Sequence, residues 1–254
     1  MEKNSAFKNT YRIGLSDVDF TKRLKLSTLL GYFQEAASMH ADNLGIGVDA
    51  IEKSYGIAWI LIRIRVDVME YPVWNDEISI ETWHLKTKKF EFQRDFLVRD
   101  SKGRIVIRAV SSWVILDLKT RELKKTELLD INYPPGTEER AIDCRLGKLK
   151  AFGQPEFAYK KVIGYSDIDI NGHLNNSRYV DFAMDCFTVE AHRRYFIKSM
   201  QVSYVNEALP GDSIVFYRDI SSLNSNLIYI EGISEKNDAV IFKAQAEIDE
   251  TVHS

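Results

Sequence analysis

Apolar positions return at helical spacing through Leu26, Leu29, Leu30, Phe33, Ala36, Ala37 and His40, which predicts a core helix with His40 as a cap partner at its end. The spacing changes at Gly56–Val68. There Ile60, Ile62, Ile64 and Val66 alternate with Leu61, Arg63, Arg65 and Asp67, the period of a strand. Residues 7–19 read as a strand and turn, and Val48–Glu52 as a helical turn within a loop. After a turn at Pro72–Asp76, strands are expected at Glu77–His84, Phe90–Arg99 and Ile105–Leu116, the last two joined by Ser101-Lys-Gly103. The order then returns: a strand at 157–165, a helix at 176–192, and strands at 198–206, 213–222, 226–234 and 239–249. Between the runs, charge clusters, Pro134-Pro135-Gly136 and Pro155 mark a connector, with a short helix expected near Ala141–Lys150. The predicted organisation is a domain over 1–130, a connector over 131–157 and a second domain over 158–254.

The return is also one of sequence. Ile13-Gly-Leu-Ser-Asp-Val-Asp19 aligns without a gap to Ile163-Gly-Tyr-Ser-Asp-Ile-Asp169, and the register continues through Leu24/Leu174 and Ser27/Ser177. Further on, Val66-Asp-Val68 answers Val202-Ser-Tyr204, and Asn75-Asp-Glu-Ile78 answers Gly211-Asp-Ser-Ile214. Two homologous halves explain this. Asp17 and Asp19 match Asp167 and Asp169, as residues that hold a turn would. Thr21, Lys22 and Arg23 stand where the second half has Asn171, Gly172 and His173, so the amide and the imidazole belong to the second half alone.

Those two residues lie within Tyr165-Ser-Asp-Ile-Asp-Ile-Asn-Gly-His-Leu-Asn-Asn-Ser-Arg-Tyr179, a polar run leading into the second predicted helix. Acid, amide and imidazole beside the amides of a helix start suit acyl hydrolysis, while a plain N-cap accounts for the asparagines and serine without chemistry. Whole-chain properties narrow the field. Net charge is −3, with 45% hydrophobic and 28% charged residues, so no basic field recruits nucleic acid or anionic lipid. No apolar run is long enough to span a membrane. Only Cys144 and Cys186 are present, without metal-ligand spacing, and no glycine-rich phosphate loop occurs, so neither metal nor organic cofactor is expected. Met1–Lys8 has no signal-peptide character, and a cytoplasmic protein is the expectation.

With the duplication and Asp169-Ile-Asn-Gly-His173 in view, the chain resembles the acyl-acyl carrier protein thioesterases over about residues 7–249. The resemblance implies an α+β fold of two tandem hotdog domains, each a long helix wrapped by an antiparallel sheet. It implies a catalytic set of Asp169, Asn171 and His173 with Glu207, and hydrolysis of acyl-acyl carrier protein by water to free fatty acid. On this reading Glu207, alone or with His173, activates the water. Asn171 and the helix-start amides hold the carbonyl oxygen or the water, and Asp169 orients its neighbours. The first domain would line the acyl pocket, with Trp59 a candidate, and carry no catalytic set. The carrier protein is acidic, so Arg178, Arg193 and Arg194 are candidate contacts, and a homodimer is left open. Plant members carry a transit peptide and commonly a cysteine after the glutamate. Neither is found here, where the residue is Ala208, so a bacterial-type member with no need of a thiol is expected. An acyl-CoA thioesterase of the same fold and a non-catalytic acyl-binding module remain as alternatives.

Overall fold

The computed structural model describes residues 6–129 and 136–251. Pro134 and Pro135 of the predicted connector lie outside these residues, as do the outermost residues of both predicted domains. The chain divides into two compact units, Met1–Leu146 and Gly147–Ser254.

In the first unit β1 (Ala6–Arg12) leads through a tight turn to α1 (Leu26–Asn43) and α2 (Val48–Tyr55). The strands β2 (Ile57–Val68), β3 (Glu77–His84), β4 (Phe92–Asp100) and β5 (Ile105–Asp117) follow, with a short β6 (Leu123–Lys124) on β5. The sheet order is β1-β3-β4-β5-β2, antiparallel throughout. Leu29, Leu30, Phe33, Ala36, Ala37 and Ala41 make the buried stripe of α1. Phe33 stacks on Phe96 of β4 at 4.5 Å, and Tyr32 on Tyr11 of β1 at 4.4 Å, which sets the helix on one sheet face. Residues 136–146 are strapped to this unit. Asp95, wholly buried, accepts the Ala141 amide (2.7 Å) and Arg140 Nε (3.0 Å), and Ala141 and Leu146 pack with Trp83, Leu85, Leu97 and Val110.

The second unit holds β7 (Glu156–Val162), α3 (Arg178–Met184), α4 (Val189–Arg194), β8 (Tyr195–Tyr204), β9 (Ser213–Asp219), β10 (Leu227–Ser234) and β11 (Val240–Glu250). Its order, β7-β9-β10-β11-β8, repeats that of the first unit. Phe182 and Tyr179 of α3 meet Phe216 and Phe242 edge-on at 5.9 and 5.4 Å.

The repeat extends to single backbone bonds. Ile13 N–H donates to Asp76 O and Ile163 N–H to Asp212 O; Leu24 donates to Pro72 and Leu174 to Ala208. The offset is 150 before the helix and 136 after it, so the second unit is fourteen residues shorter at that point. The unmatched residues of the first unit are 45–58, which hold α2 and the turns on either side of it.

Two expectations are corrected and a third is narrowed. The helix predicted over 176–192 is two helices. Cys186, Phe187 and Thr188 are weak helix formers, the Cys186 carbonyl accepts from Arg218 Nη1 (2.7 Å), and the Thr188 side chain caps α4 by accepting the Ala191 amide. No helix forms over Ala141–Lys150, because side chains take its backbone groups. Asp95 holds the Ala141 amide, while Gln201 and Gln245 donate to the Gly147 and Lys150 carbonyls. His40 partners the cap of α1 only through its carbonyl, which accepts the Leu44 amide at 3.1 Å; its imidazole is buried, with Nδ1 3.0 Å from Arg94 Nη1 on β4.

Candidate active site

The polar run folds as a tight turn because its aspartates accept the backbone amides that the turn leaves over. Asp167 Oδ2 takes the Gly164 amide at 2.9 Å, and Asp169 Oδ1 takes the amides of Asn171 (2.9 Å) and His173 (3.4 Å). Asp169 N–H donates to His173 O, and Gly172 occupies the left-handed region at φ 75°, where a glycine carries no penalty. An isolated bridge between Ile168 and Leu174 closes the turn.

The same turn stands in the first unit. Asp17 accepts Gly14, Asp19 accepts Thr21 and Arg23, Val18 bridges Leu24, and Lys22 takes φ 65°. Asp169 therefore has a structural duty that Asp19 shares. What differs is the side chains the turn presents. In the second unit His173 Nε2 lies 3.8 Å from Glu207 Oε2, an ion-pair separation, with side-chain exposures of 33% and 37%. The matched positions of the first unit carry Arg23 and Tyr71, the guanidinium lying 5.9 Å from the ring centre.

Glu207 follows β8, and the bond from Leu174 N–H to the Ala208 carbonyl fastens its segment to the turn. The Asn171 side chain is exposed at the turn's tip. Tyr179, buried at the start of α3, is a residue that sequence reasoning took only as the onset of the helix. Burial, reinforced by the charges of Glu207 and Asp169, raises its hydroxyl well above the ordinary phenol range, opposed by a bond to the Ala208 backbone. Its signal was available: the matched position in the first half is Leu29.

Two of the helix-start amides have backbone partners of their own. Those of Arg178 and Val180 donate to the Asn175 and Ser177 carbonyls at 2.9 and 3.1 Å. Asn175 holds the turn ahead of the helix, accepting the amide and hydroxyl of Ser177. Among the other candidates, Arg178 pairs with Asp181, and Arg193 and Arg194 both approach Glu190, at 3.7 and 3.6 Å. Trp59 lies in the first unit, its Nε1 donating to the Ile46 carbonyl and its ring edge-on to Phe92. Cys186 is buried and its thiol is pushed up to about 12, chiefly by burial; Cys144 is also raised by burial. Among the described residues no group of three His, Cys, Asp or Glu side chains is arranged to hold a metal, and no helix is long and apolar enough to cross a membrane.

The sequence matches the acyl-ACP thioesterase N-terminal domain over residues 4–129 and the acyl-ACP thioesterase C-terminal domain over residues 154–250. The chain belongs to the acyl-ACP thioesterase family. It is 24% identical over 230 residues to oleoyl-acyl carrier protein thioesterase 2 of Arabidopsis thaliana, covering 84% of this chain and 63% of that one. It is 28% identical over 218 residues to the palmitoyl-acyl carrier protein thioesterase of the same plant, covering 79% and 52%. The chain thus spans between half and two thirds of the length of these curated relatives. Among solved structures, an acyl-ACP thioesterase from Bacteroides thetaiotaomicron superposes with a TM-score of 0.83 at 26% identity, covering 98% of this chain and all of that one. A 12:0-ACP thioesterase from Umbellularia californica gives 0.85 at 22% identity, covering 98% of each, a likeness of fold. Each unit of this family member is a hotdog domain, and the fold is α+β.

Proposed function

We propose that this chain hydrolyses acyl-acyl carrier protein to free fatty acid, with water as the attacking group. The observation that carries the reading is the approach of His173 to Glu207, on a turn that Asp169 holds, in the second of two matched halves. Glu207, with His173, takes the proton of the attacking water, a general-base contribution of roughly 10²- to 10⁴-fold. Asn171 holds the carbonyl oxygen or the water; a well-placed donor of this kind contributes about 10²- to 10³-fold. Asp169 orients both through the backbone amides it accepts. The first domain takes the acyl chain, with Trp59 in the lining, and has no catalytic set because Arg23 and Tyr71 replace the reacting pair.

Two exposed apolar residues support a protein-borne substrate over a free CoA ester. Tyr165, ahead of the turn, and Ile170, within it, are exposed at 99% and 91%, positions where a docking macromolecule would cover them. Arg178, Arg193 and Arg194 already have carboxylate neighbours, which weakens their pull on an acidic partner. The unpaired Cys144 and Cys186 support a reducing compartment such as the cytoplasm. The test is a comparison of free-acid release from matched acyl-carrier-protein and acyl-CoA esters over graded chain lengths. The carrier-protein ester should be cleaved faster at every length accepted; faster CoA turnover throughout would give the reaction to the other ester, and acyl binding without turnover would remove it.

A further inference from the structure

A second feature of the C-terminal unit lies far from the catalytic turn. A cavity of about 230 Å³ opens beneath α4, lined by Met184, Phe187, Ala191, Ile197, Ile228 and Ile248 among others. Tyr195 and Phe196, at the start of β8, also border it, whereas Glu207 lies beyond the end of that strand. Ten residues of strand separate the two by about 30 Å.

The repeat explains why this space exists. In the first unit the fourteen extra residues close the matching end of the core: Ile46, Ile51 and Ile57 are buried there with Leu44 against Ala41, Phe92 and Ile115. The second unit has no such segment, because α4 ends at Arg194 and β8 begins at Tyr195. The helix break after Met184 widens the gap. An apolar cavity of about 150 Å³ already takes up benzene, so this one has room for an aliphatic tail of several carbons.

Its polar side chains are few, and the guanidinium among them is paired at 2.8 Å with Glu156, which stands outside the lining. Arg218 and His192 contribute to it and no carboxylate does. His192 Nε2 lies 3.0 Å from the Met184 carbonyl, which fixes that nitrogen as a donor. Arg218 donates Nη1 to the Cys186 carbonyl and Nε to Glu156 on β7. These bonds use two of its five N–H donors. They also hold the guanidinium at the broken end of α3, 5.6 Å from the Phe187 ring centre.

We propose that this cavity binds an aliphatic monocarboxylate, its tail among the isoleucines and Phe187 and its carboxylate on Arg218. The inference stands on the cavity and its charge and does not depend on the reaction assigned to the catalytic turn. Calorimetric titration of the Glu207→Gln chain with octanoate and 1-octanol tests it. One octanoate per chain should bind here, beside any taken up by the first domain's acyl pocket, with 1-octanol at least about tenfold weaker at this site because it has no charge for the guanidinium. Ala191→Phe, which fills the space, should remove this binding event and leave any uptake by the first domain, and in the otherwise native chain should leave thioester turnover within about twofold. Should that variant misfold, a diazirine-bearing octanoate locates the site in the unsubstituted chain by labelling the peptide containing Met184 and Phe187. Labelling that appears only elsewhere, in the first domain, at residues 165–179 or in the Glu207 peptide, would overturn the proposal. So would equal binding of acid and alcohol, or no octanoate bound at about millimolar concentration.

Discussion

At the scale of single residues, the candidate site separates groups that hold shape from groups placed to react. Asp169 spends its carboxylate on two backbone amides, as Asp19 does, whereas His173 and Glu207 present side chains with no chemical equivalent in the first half. His173→Ala and Glu207→Gln should each lower kcat at least about 10²-fold with melting unchanged. The double variant should be little worse than either single one, because groups that act as a unit are not additive; steady-state rates and thermal melts on the three chains check this. Tyr179→Phe removes a bonded hydroxyl beside Glu207 and should cost about 2- to 10-fold, the value of one hydrogen bond. The thiols are expected to be silent. With a pKa of about 12, Cys186 is thiolate in only about one molecule in ten thousand at pH 8. A Cys144→Ser, Cys186→Ala chain should keep its turnover, and iodoacetamide at pH 8 should not inhibit the unsubstituted chain; inhibition that tracks alkylation would mean the thiol matters. Asn171, His173 and Glu207 were legible as residues of one half only. Tyr179 carries the same signal, opposite Leu29, yet a tyrosine at the head of an apolar stripe reads as packing until its hydroxyl is seen against Ala208.

Among elements, long periodic ones were legible and interrupted ones were not. α1 and the strands of both sheets follow from apolar spacing to within a few residues at their ends. The break between α3 and α4 does not, because the apolar stripe runs on through Phe182, Ala183 and Cys186 while the backbone departs from it. The cause is a long-range partner: Arg218, thirty-two residues downstream, takes the Cys186 carbonyl. The absent helix at 141–150 has the same origin, since Asp95 lies forty-six residues from the amide it captures. Such competition cannot be read from local spacing. Two stability predictions belong here. Thr188→Ala removes the cap of α4 and should cost about 0.5–2 kcal/mol. Asp95→Ala leaves the Ala141 amide and Arg140 without their buried acceptor and should cost about 1–3 kcal/mol. Denaturant titrations with unchanged m-values would register both.

Over the whole molecule, the duplication was legible as a constant offset, and its change of value marks where the halves diverged. The turn before the helix kept its backbone bonds in both units, which is why Asp17/Asp19 and Asp167/Asp169 survive at matched positions. The order of the strands within each sheet was not legible, since antiparallel alternation predicts strands and not their neighbours. The divergence makes a chain-level prediction, because the fold is present twice and the reacting pair once. Two triple variants at matched positions measure it. Thr21→Ala, Arg23→Ala, Tyr71→Phe should retain turnover within about threefold, any loss reflecting stability alone. Asn171→Ala, His173→Ala, Glu207→Gln should fall to the uncatalysed rate, because base and oxyanion donor go together. The readout is free acid released from acyl-acyl carrier protein, with a melt of each chain to confirm folding. If the first-half triple abolishes turnover in a folded chain and the second-half triple does not, chemistry resides in the Arg23 and Tyr71 turn. If both triples abolish it, the two turns act together and the assignment of one catalytic set per chain fails.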